Sequence, residues 1–298
     1  AINNVLFDHV NLVSQRLLRE SSASPNKYAA ILPEFAPYQY TRETGGLWVK
    51  AYGNFEKIGM TQGLNVGNNA YGTLIGADLP VVDLKNGWSF LPTAYIGYNG
   101  AHQTFDYVGM YQNGGQGGFM GTFMKNDFIG SVLAYAGGYA NEMNVAGFTD
   151  TNGNWFAGTA AKAAYNFHPS KNFIIQPTLL ASYNYFGRQT WHTDFGDMGM
   201  RTGMLNGINI APGVNFIYGR ETWSIYATIQ YMYNIMGYVG GKAGNVDLEG
   251  IKMRHGYIEY GLGVTKTWKD RLDGYLQITF RNGGRTGIGF QGGMTFRF

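Results

Sequence analysis

The chain has 298 residues, with 45 glycines, 22 tyrosines and 19 phenylalanines but only 14% charged residues and no cysteine. Soluble domains carry about 25% charge, and a mean hydropathy of −0.20 argues against a bundle of membrane helices. The net charge of +3 is not gathered into the basic run that a nucleic-acid partner needs, and the missing cysteine excludes disulfides, thiolate metal sites and cysteine nucleophiles.

The first segment differs from everything after it. From Asn3 to about Glu20 there is no Gly and no Pro, and Leu6, Val10, Val13 and Leu17 draw one apolar stripe at helical spacing. Asn3 or Asn4 can cap its start, and Arg16 and Arg19 suit its C-terminal dipole. Ser21 to Pro25 reads as a stop, and Pro33 and Pro37 predict irregular chain to about Glu43. Residues 1–44 are therefore expected to form a helix and linker, and residues 45–298 a second unit. No signal peptide lies at Ala1. An exported protein would carry its signal upstream, so the chain is expected to be a fragment or a processed product.

From Gly45 the period changes to two. In "LWVKAYGN", Leu47, Val49 and Ala51 oppose Trp48, Lys50 and Tyr52. In "WSIYATIQYMYN", Trp223, Ile225, Ala227, Ile229, Tyr231 and Tyr233 share one face. In "LDGYLQITF", Leu272, Leu276, Ile278 and Phe280 oppose Asp273, Tyr275, Gln277 and Thr279. The apolar sets often begin or end in an aromatic, as an interfacial girdle requires. About twelve such segments follow, each long enough to cross a bilayer at a tilt. They start near Gly46, Ala70, Trp88, Gln116, Phe128, Asn154, Phe173, Leu205, Trp223, Arg254, Leu272 and Thr286. Short connections ("KND", "HPSKN", "GRET", "KDR") alternate with long polar ones at Ala101–Gly115, Asn141–Gly153, Gly187–Met204 and Met236–Met253. That alternation is the pattern of an outer-membrane barrel, and an even strand count brings both barrel ends to one side. Between Gln116 and Gly138 both faces of "FMGTFM" are apolar, so no outward face can be chosen. The glycines there are expected to mark close approach of something inside the lumen. The last strand, "QGGMTFRF", alternates to its final residue: Met294, Phe296 and Phe298 on one parity, Gln291, Gly293, Thr295 and Arg297 on the other.

The stretches "GLWVKAYGN", "YGTLIGADL", "GGFMGTFMKNDFIGSVLAYAGGYAN", "QPTLLASYNY", "YIEYGLGV" and "QGGMTFRF" occur in family order. On them the chain resembles the C-terminal translocator domain of bacterial autotransporters, the type V secretion proteins. Gln176 departs from the family, which more often has Glu before the Pro; that removes a lumen charge. The resemblance implies a Gram-negative outer-membrane barrel of about twelve antiparallel strands, with one helix threaded through the pore. It implies a covalently linked passenger upstream, exported to the cell surface. Membrane lipid, the barrel-assembly machinery and periplasmic chaperones are the implied partners, and the chain is expected to be a monomer. In this family a polar residue, a Gly and two spaced terminal hydrophobics are read by the assembly machinery; Gln291, Gly293, Phe296 and Phe298 match that spacing. Simple geometry agrees: a helix is about 10–12 Å across with its side chains, and about eighteen residues rise about 27 Å.

Little chemistry is legible. Some autotransporters release the passenger by asparagine cyclisation, and Asn3–Asn4 shares the Asn pair but not the basic run that usually follows; helix capping is the plainer reading. The five histidines are scattered, with no i, i+4 pair for a metal. "HTD" at His192–Asp194 falls in an expected outer loop, and no G-x-S-x-G elbow is present. No catalytic residue, metal or cofactor is therefore assigned. Glu259, Asp273, Arg281 and Arg297 fall on the inward parity and are expected to meet the helix charges Asp8, Arg16, Arg19 and Glu20. The competing readings are a simple porin with the first helix outside, and an outer-membrane hydrolase with a loop-borne site.

Overall fold

The computed structural model describes residues 6–7 and 45–298, apart from 64, 106–107, 146–147, 189, 192–199, 203–204, 221, 244–245, 253–255 and 269–270. Twelve long strands dominate: β1 (Gly46–Gly59), β2 (Asn65–Asp78), β3 (Ser89–Phe105), β4 (Val108–Lys125), β5 (Phe128–Val145) and β6 (Phe148–Tyr165). Then come β7 (Phe173–Phe186), β8 (Leu205–Arg220), β9 (Trp223–Ala243), β10 (Gly256–Trp268), β11 (Leu272–Gly283) and β12 (Arg285–Arg297). Each pairs antiparallel with the next, and β12 returns to β1 with Gly46 opposite Arg297 and Ile58 opposite Arg285. The sheet is closed, so neither terminal strand is left as an edge.

Strand pairing also sets the width. From Gly46 the directly opposed residues run through Asp78, Thr93, Met120, Leu133, Ala160, Ser182 and Asn209 to Asn234 of β9. From Phe55 in the other direction they run through Ile288, Phe280 and Tyr260 to Ile229 of β9. The starts lie nine residues apart on β1 and the ends five apart on β9, so one circuit advances the register by about fourteen residues. Twelve strands about 4.8 Å apart, tilted by about 40°, enclose a cylinder about 24 Å across between backbones. Inward side chains leave a bore of about 12 Å, the width of one α-helix.

The outer skin follows the alternation. Leu47, Val49, Ile75, Ile96, Val132, Leu179, Ile229, Leu262, Leu276 and Met294 are all exposed. Two aromatic rows bound this band. Tyr71, Tyr98, Trp155, Tyr231 and Tyr260 ring the loop end, while Phe123, Phe128, Tyr165, Trp268 and Phe298 ring the end where β1 starts and β12 finishes. Neighbouring rings touch within each row, as at Tyr260–Phe280 (5.7 Å between centroids) and Trp88–Phe128 (6.0 Å). An apolar belt between aromatic girdles is a membrane surface.

Two expectations need correction. Ala101–Gly115 and Asn141–Gly153 are not long loops. β3 runs on to Phe105 and β4 starts at Val108, while β5 runs to Val145 and β6 starts at Phe148. Strands that outrun the bilayer become polar while keeping their ladder, so loss of apolar residues marks water rather than a strand end. For the same reason β2 starts at Asn65 rather than Ala70, and β9 continues to Ala243, from which Val246–Lys252 pairs back. In "FMGTFM" the outward residues are Phe119 and Phe123; Met120 and Met124 are buried inside.

Candidate functional site: the lumen

The lumen wall is built from the other parity of every strand. Trp48, Lys50, Tyr52, Asn54 and Glu56 of β1 all point inward and are buried. Several inward rings lie flat across the wall over a glycine directly opposite on the next strand. Tyr275 covers Gly293 this way, and a Cβ at Gly293 would stand 2.7 Å from that ring and 2.7 Å from the Val49 carbonyl oxygen. The pairing recurs at Tyr52–Gly72, Tyr95–Gly118 and Tyr135–Gly158. Within Gln116 to Gly138, Gly118, Gly121 and Gly137 receive the rings of Tyr95, Phe90 and Phe156 from neighbouring strands, where an approach from within the lumen was expected.

The bore has an apolar side and a polar side. Leu74, Leu91, Met120, Met124, Leu133, Phe156, Ala160 and Leu180 are buried inward residues of β2–β7. Leu6 and Phe7 are helical, are 0% and 1% exposed, and belong to the same apolar cluster. Leu6 lies on the stripe read from the sequence. Phe7 does not, and it is buried all the same, because a helix enclosed by a wall has no solvent face to spare. The stripe residues Val10, Val13 and Leu17, the Asn3–Asn4 pair, and the charges Asp8, Arg16, Arg19 and Glu20 lie outside the described residues, as does His192–Asp194.

Two groups of paired charges stand in the lumen wall. At the loop end, Arg281 Nε donates to Glu259 Oε2 at 2.6 Å and Arg281 Nη1 to Glu56 Oε2 at 2.9 Å. Arg285 adds a contact to Glu56 at 3.3 Å, and Gln230 donates to Glu259 at 2.6 Å. Arg281 stands on β11 and Glu56 on β1, so the guanidinium crosses β12. It crosses at Gly287, which pairs with both residues and where a Cβ would strike the Phe55 carbonyl oxygen and Glu56 Cα. At the opposite end Arg297 grips Asp273 through Nε (3.0 Å) and Nη2 (2.8 Å), and Thr267 also donates to Asp273 at 2.7 Å. The four expected lumen charges are thus two bonded pairs within the wall. Glu56 was missed, although its parity with Trp48 and Lys50 was visible. Lys50, 1% exposed, was missed as well; its ammonium lies 5.1 Å from the Trp48 ring centroid and 5.3 Å from that of Tyr275.

From β2 to β6 the loop-end wall carries a chain of side-chain amides. Asn68 donates to Glu56 (2.9 Å), Gln103 to Asn68 (3.3 Å), Gln112 to Asn141 (3.0 Å) and Asn141 to Asn152 (3.0 Å). Gln103 also approaches Gln112 at 3.5 Å, so an amide chain runs from β2 to β6. Lower down, Gln176 donates to Asn166 (2.7 Å) and accepts from Asn215 (2.8 Å), so both ends of this amide are used. In the last strand Gln291 faces inward and donates to Gln277, while Phe296 and Phe298 face out. The proposed assembly signal therefore straddles both faces of β12. Among the described residues no group of three metal-ligating side chains is found.

No family model matches the sequence, and no curated protein matches it. Solved structures do. The β domain of the Bordetella autotransporter BrkA superposes with a TM-score of 0.68 at 14% identity, over 85% of this chain and 98% of that one. The translocator domain of the autotransporter NalP from Neisseria meningitidis gives 0.66 at 10% identity, over 99% and 98%. The fold is that of an autotransporter translocator domain. The transport unit of AIDA-I from Escherichia coli shares it, with a TM-score of 0.62 at 11% identity over 95% and 97% of the two chains. The translocator barrel is thus shared where little sequence identity remains, because alternation, closure and lumen width constrain parity and residue size more than residue identity.

Proposed function

We propose that this translocator barrel sits in the Gram-negative outer membrane, anchors the polypeptide upstream of it and helps carry that passenger to the cell surface. One observation carries the reading: Leu6 and Phe7, at the upstream end of the chain, are helical and buried in the lumen cluster. Chain leading into the bore is what an anchor for an upstream domain requires, and the bore of about 12 Å has room for one helix and little else. The reading assigns residues 1–44 to the pore helix and its linker, and residues 45–298 to the barrel. It assigns the barrel no reaction of its own. Assembly machinery and periplasmic chaperones are the partners it requires, and the closed sheet needs no second copy. A porin with its first helix outside is disfavoured by the burial of Leu6 and Phe7.

The test is surface proteolysis of intact cells expressing the full-length protein. Polypeptide upstream of Ala1 is expected to be digested while the barrel remains protected. Upstream polypeptide that resists protease until the outer membrane is permeabilised would overturn the reading.

A further inference from the structure

The lipid-facing belt is not smooth. On the outer face of β4 to β7 a groove of about 480 Å³ opens toward the end where β1 starts. Strand register shows how it arises. Phe123 of β4, Gly130 of β5, Ala163 of β6 and Leu179 of β7 stand directly opposite one another in one row across the sheet. In the row one step further from the β4–β5 turn, Ala161 and Ala181 stand opposite each other. Side chains of the outer two strands thus wall a floor of backbone and methyl groups, and the walls stand free, with Phe123 39% and Leu179 52% exposed.

At its closed end the groove meets the aromatic girdle. The Phe128 ring leans toward Gly130, where a Cβ would stand 3.1 Å from it, and Trp88, just ahead of β3, lies edge-on to Phe128 at 6.0 Å. Lys125 is paired with Phe128 across the β4–β5 turn and holds its ammonium 5.6 Å from the Trp88 ring centroid. It makes no ion pair among the described residues. Asp127, in the same turn, lies 3.0 Å from His168 Nε2. Lys125 follows Phe123 on the outward parity of β4, a position from which a lysine stem runs along apolar surface while its ammonium reaches the headgroup level.

We propose that this groove holds one glycerophospholipid of the periplasmic leaflet, with an acyl chain along its floor and the phosphate on Lys125; the proposal rests on the outer-membrane reading above. An apolar channel that runs into a ring of aromatics and then a cation has the polarity profile of a phospholipid read from tail to headgroup. On the rest of the belt a chain touches protein on one side only. Between Phe123 and Leu179 it is touched on three, and each added contact contributes dispersion energy. A second copy of the barrel fits this groove poorly. The outside of a closed sheet is convex, so two barrels meet ridge against ridge and leave the floor between Phe123 and Leu179 untouched, whereas a chain of methylenes can follow it.

The experiment uses the whole chain, purified from membranes in detergent and measured by native mass spectrometry. The added lipid is palmitoyl-oleoyl phosphatidylglycerol or the diacylglycerol with the same two chains. Wild type is expected to retain one phosphatidylglycerol per barrel after the detergent is stripped away. Lys125→Ala should weaken that retention by about fivefold, the factor one lysine gives beside an anionic headgroup, and should leave diacylglycerol retention unchanged. Ala163→Phe, which fills the floor, should weaken retention of both lipids, and Ala161→Phe should do the same. Leu262→Phe, at an exposed position on β10 away from the groove, should change neither. All four positions face outward, so each variant should still run as a folded, heat-modifiable barrel. Equal retention of phosphatidylglycerol by wild type and the Lys125 and Ala163 variants, or a dimer that Ala163→Phe splits, would overturn the proposal. Wild type that fractionates with the outer membrane yet retains no phospholipid overturns the groove site alone. Wild type absent from that fraction overturns the outer-membrane reading, and the groove site falls with it.

Discussion

Arg281 shows how a single residue can depend on the whole barrel. It meets Glu259 on the preceding strand and Glu56 across the seam, 225 positions away in sequence, with both carboxylates almost fully buried. Removing it leaves two neighbouring buried carboxylates with their principal counter-ion gone. Arg281→Ala is expected to destabilise the barrel by about 3–5 kcal/mol, read as a lower urea midpoint for the heat-modifiable band on unboiled gels. Replacing Arg281, Glu56 and Glu259 together by Met, Leu and Leu should recover most of that loss, because the three deeply buried charges go together and only the part-exposed Arg285 loses its contact to Glu56. Gly287→Ala should lower the midpoint by a different route, forcing β12 away from β1 where Arg281 crosses. The Glu259–Arg281 partnership was half legible, since both residues shared an inward parity. Glu56 was not tied to them, because nothing local to β1 announces which strand will close on it.

At the scale of an element, β12 carries two tasks on two faces. Its inward residues complete the wall: Gly293 seats the Tyr275 ring, Gln291 meets Gln277, and Arg297 holds Asp273. Its outward residues Phe290, Met294, Phe296 and Phe298 face lipid. Phe298 makes one backbone bond to Gly45 at 3.3 Å and contributes no lumen contact. Deleting it should therefore leave the stability of already folded barrel nearly unchanged. The amount of protein that reaches the outer membrane in folded form should fall several-fold, measured by membrane fractionation and heat-modifiability, if the assembly machinery reads this terminus. Equal insertion would reduce Phe298 to a lipid contact. The alternation of β12 was fully legible from its sequence. Strand length was less so. β3 to β6 extend past their apolar segments with polar residues that still pair, and polarity alone cannot tell a loop from a hairpin standing in water.

For the molecule as a whole, the bore and its contents decide the behaviour. Purified protein reconstituted in planar bilayers should conduct weakly with residues 1–44 present and several-fold better without them, since a helix nearly fills a bore of about 12 Å. Equal conductance of the two forms would place the leading segment outside the cylinder. Sequence by itself determined the class of fold, the number of spanning strands and the outward face of most of them. Those features arise from period and composition, which are local and repeat along the chain. Only the tertiary structure decided that Met120 and Met124 share one apolar cluster with Leu6 and Phe7, that Glu56 joins Arg281 over Gly287, and that Gln116 stands unpaired between two glycines. Each of these depends on the stagger and closure of the sheet. Stagger sets which residues of distant strands share a level, and a period of two records only which way a side chain points.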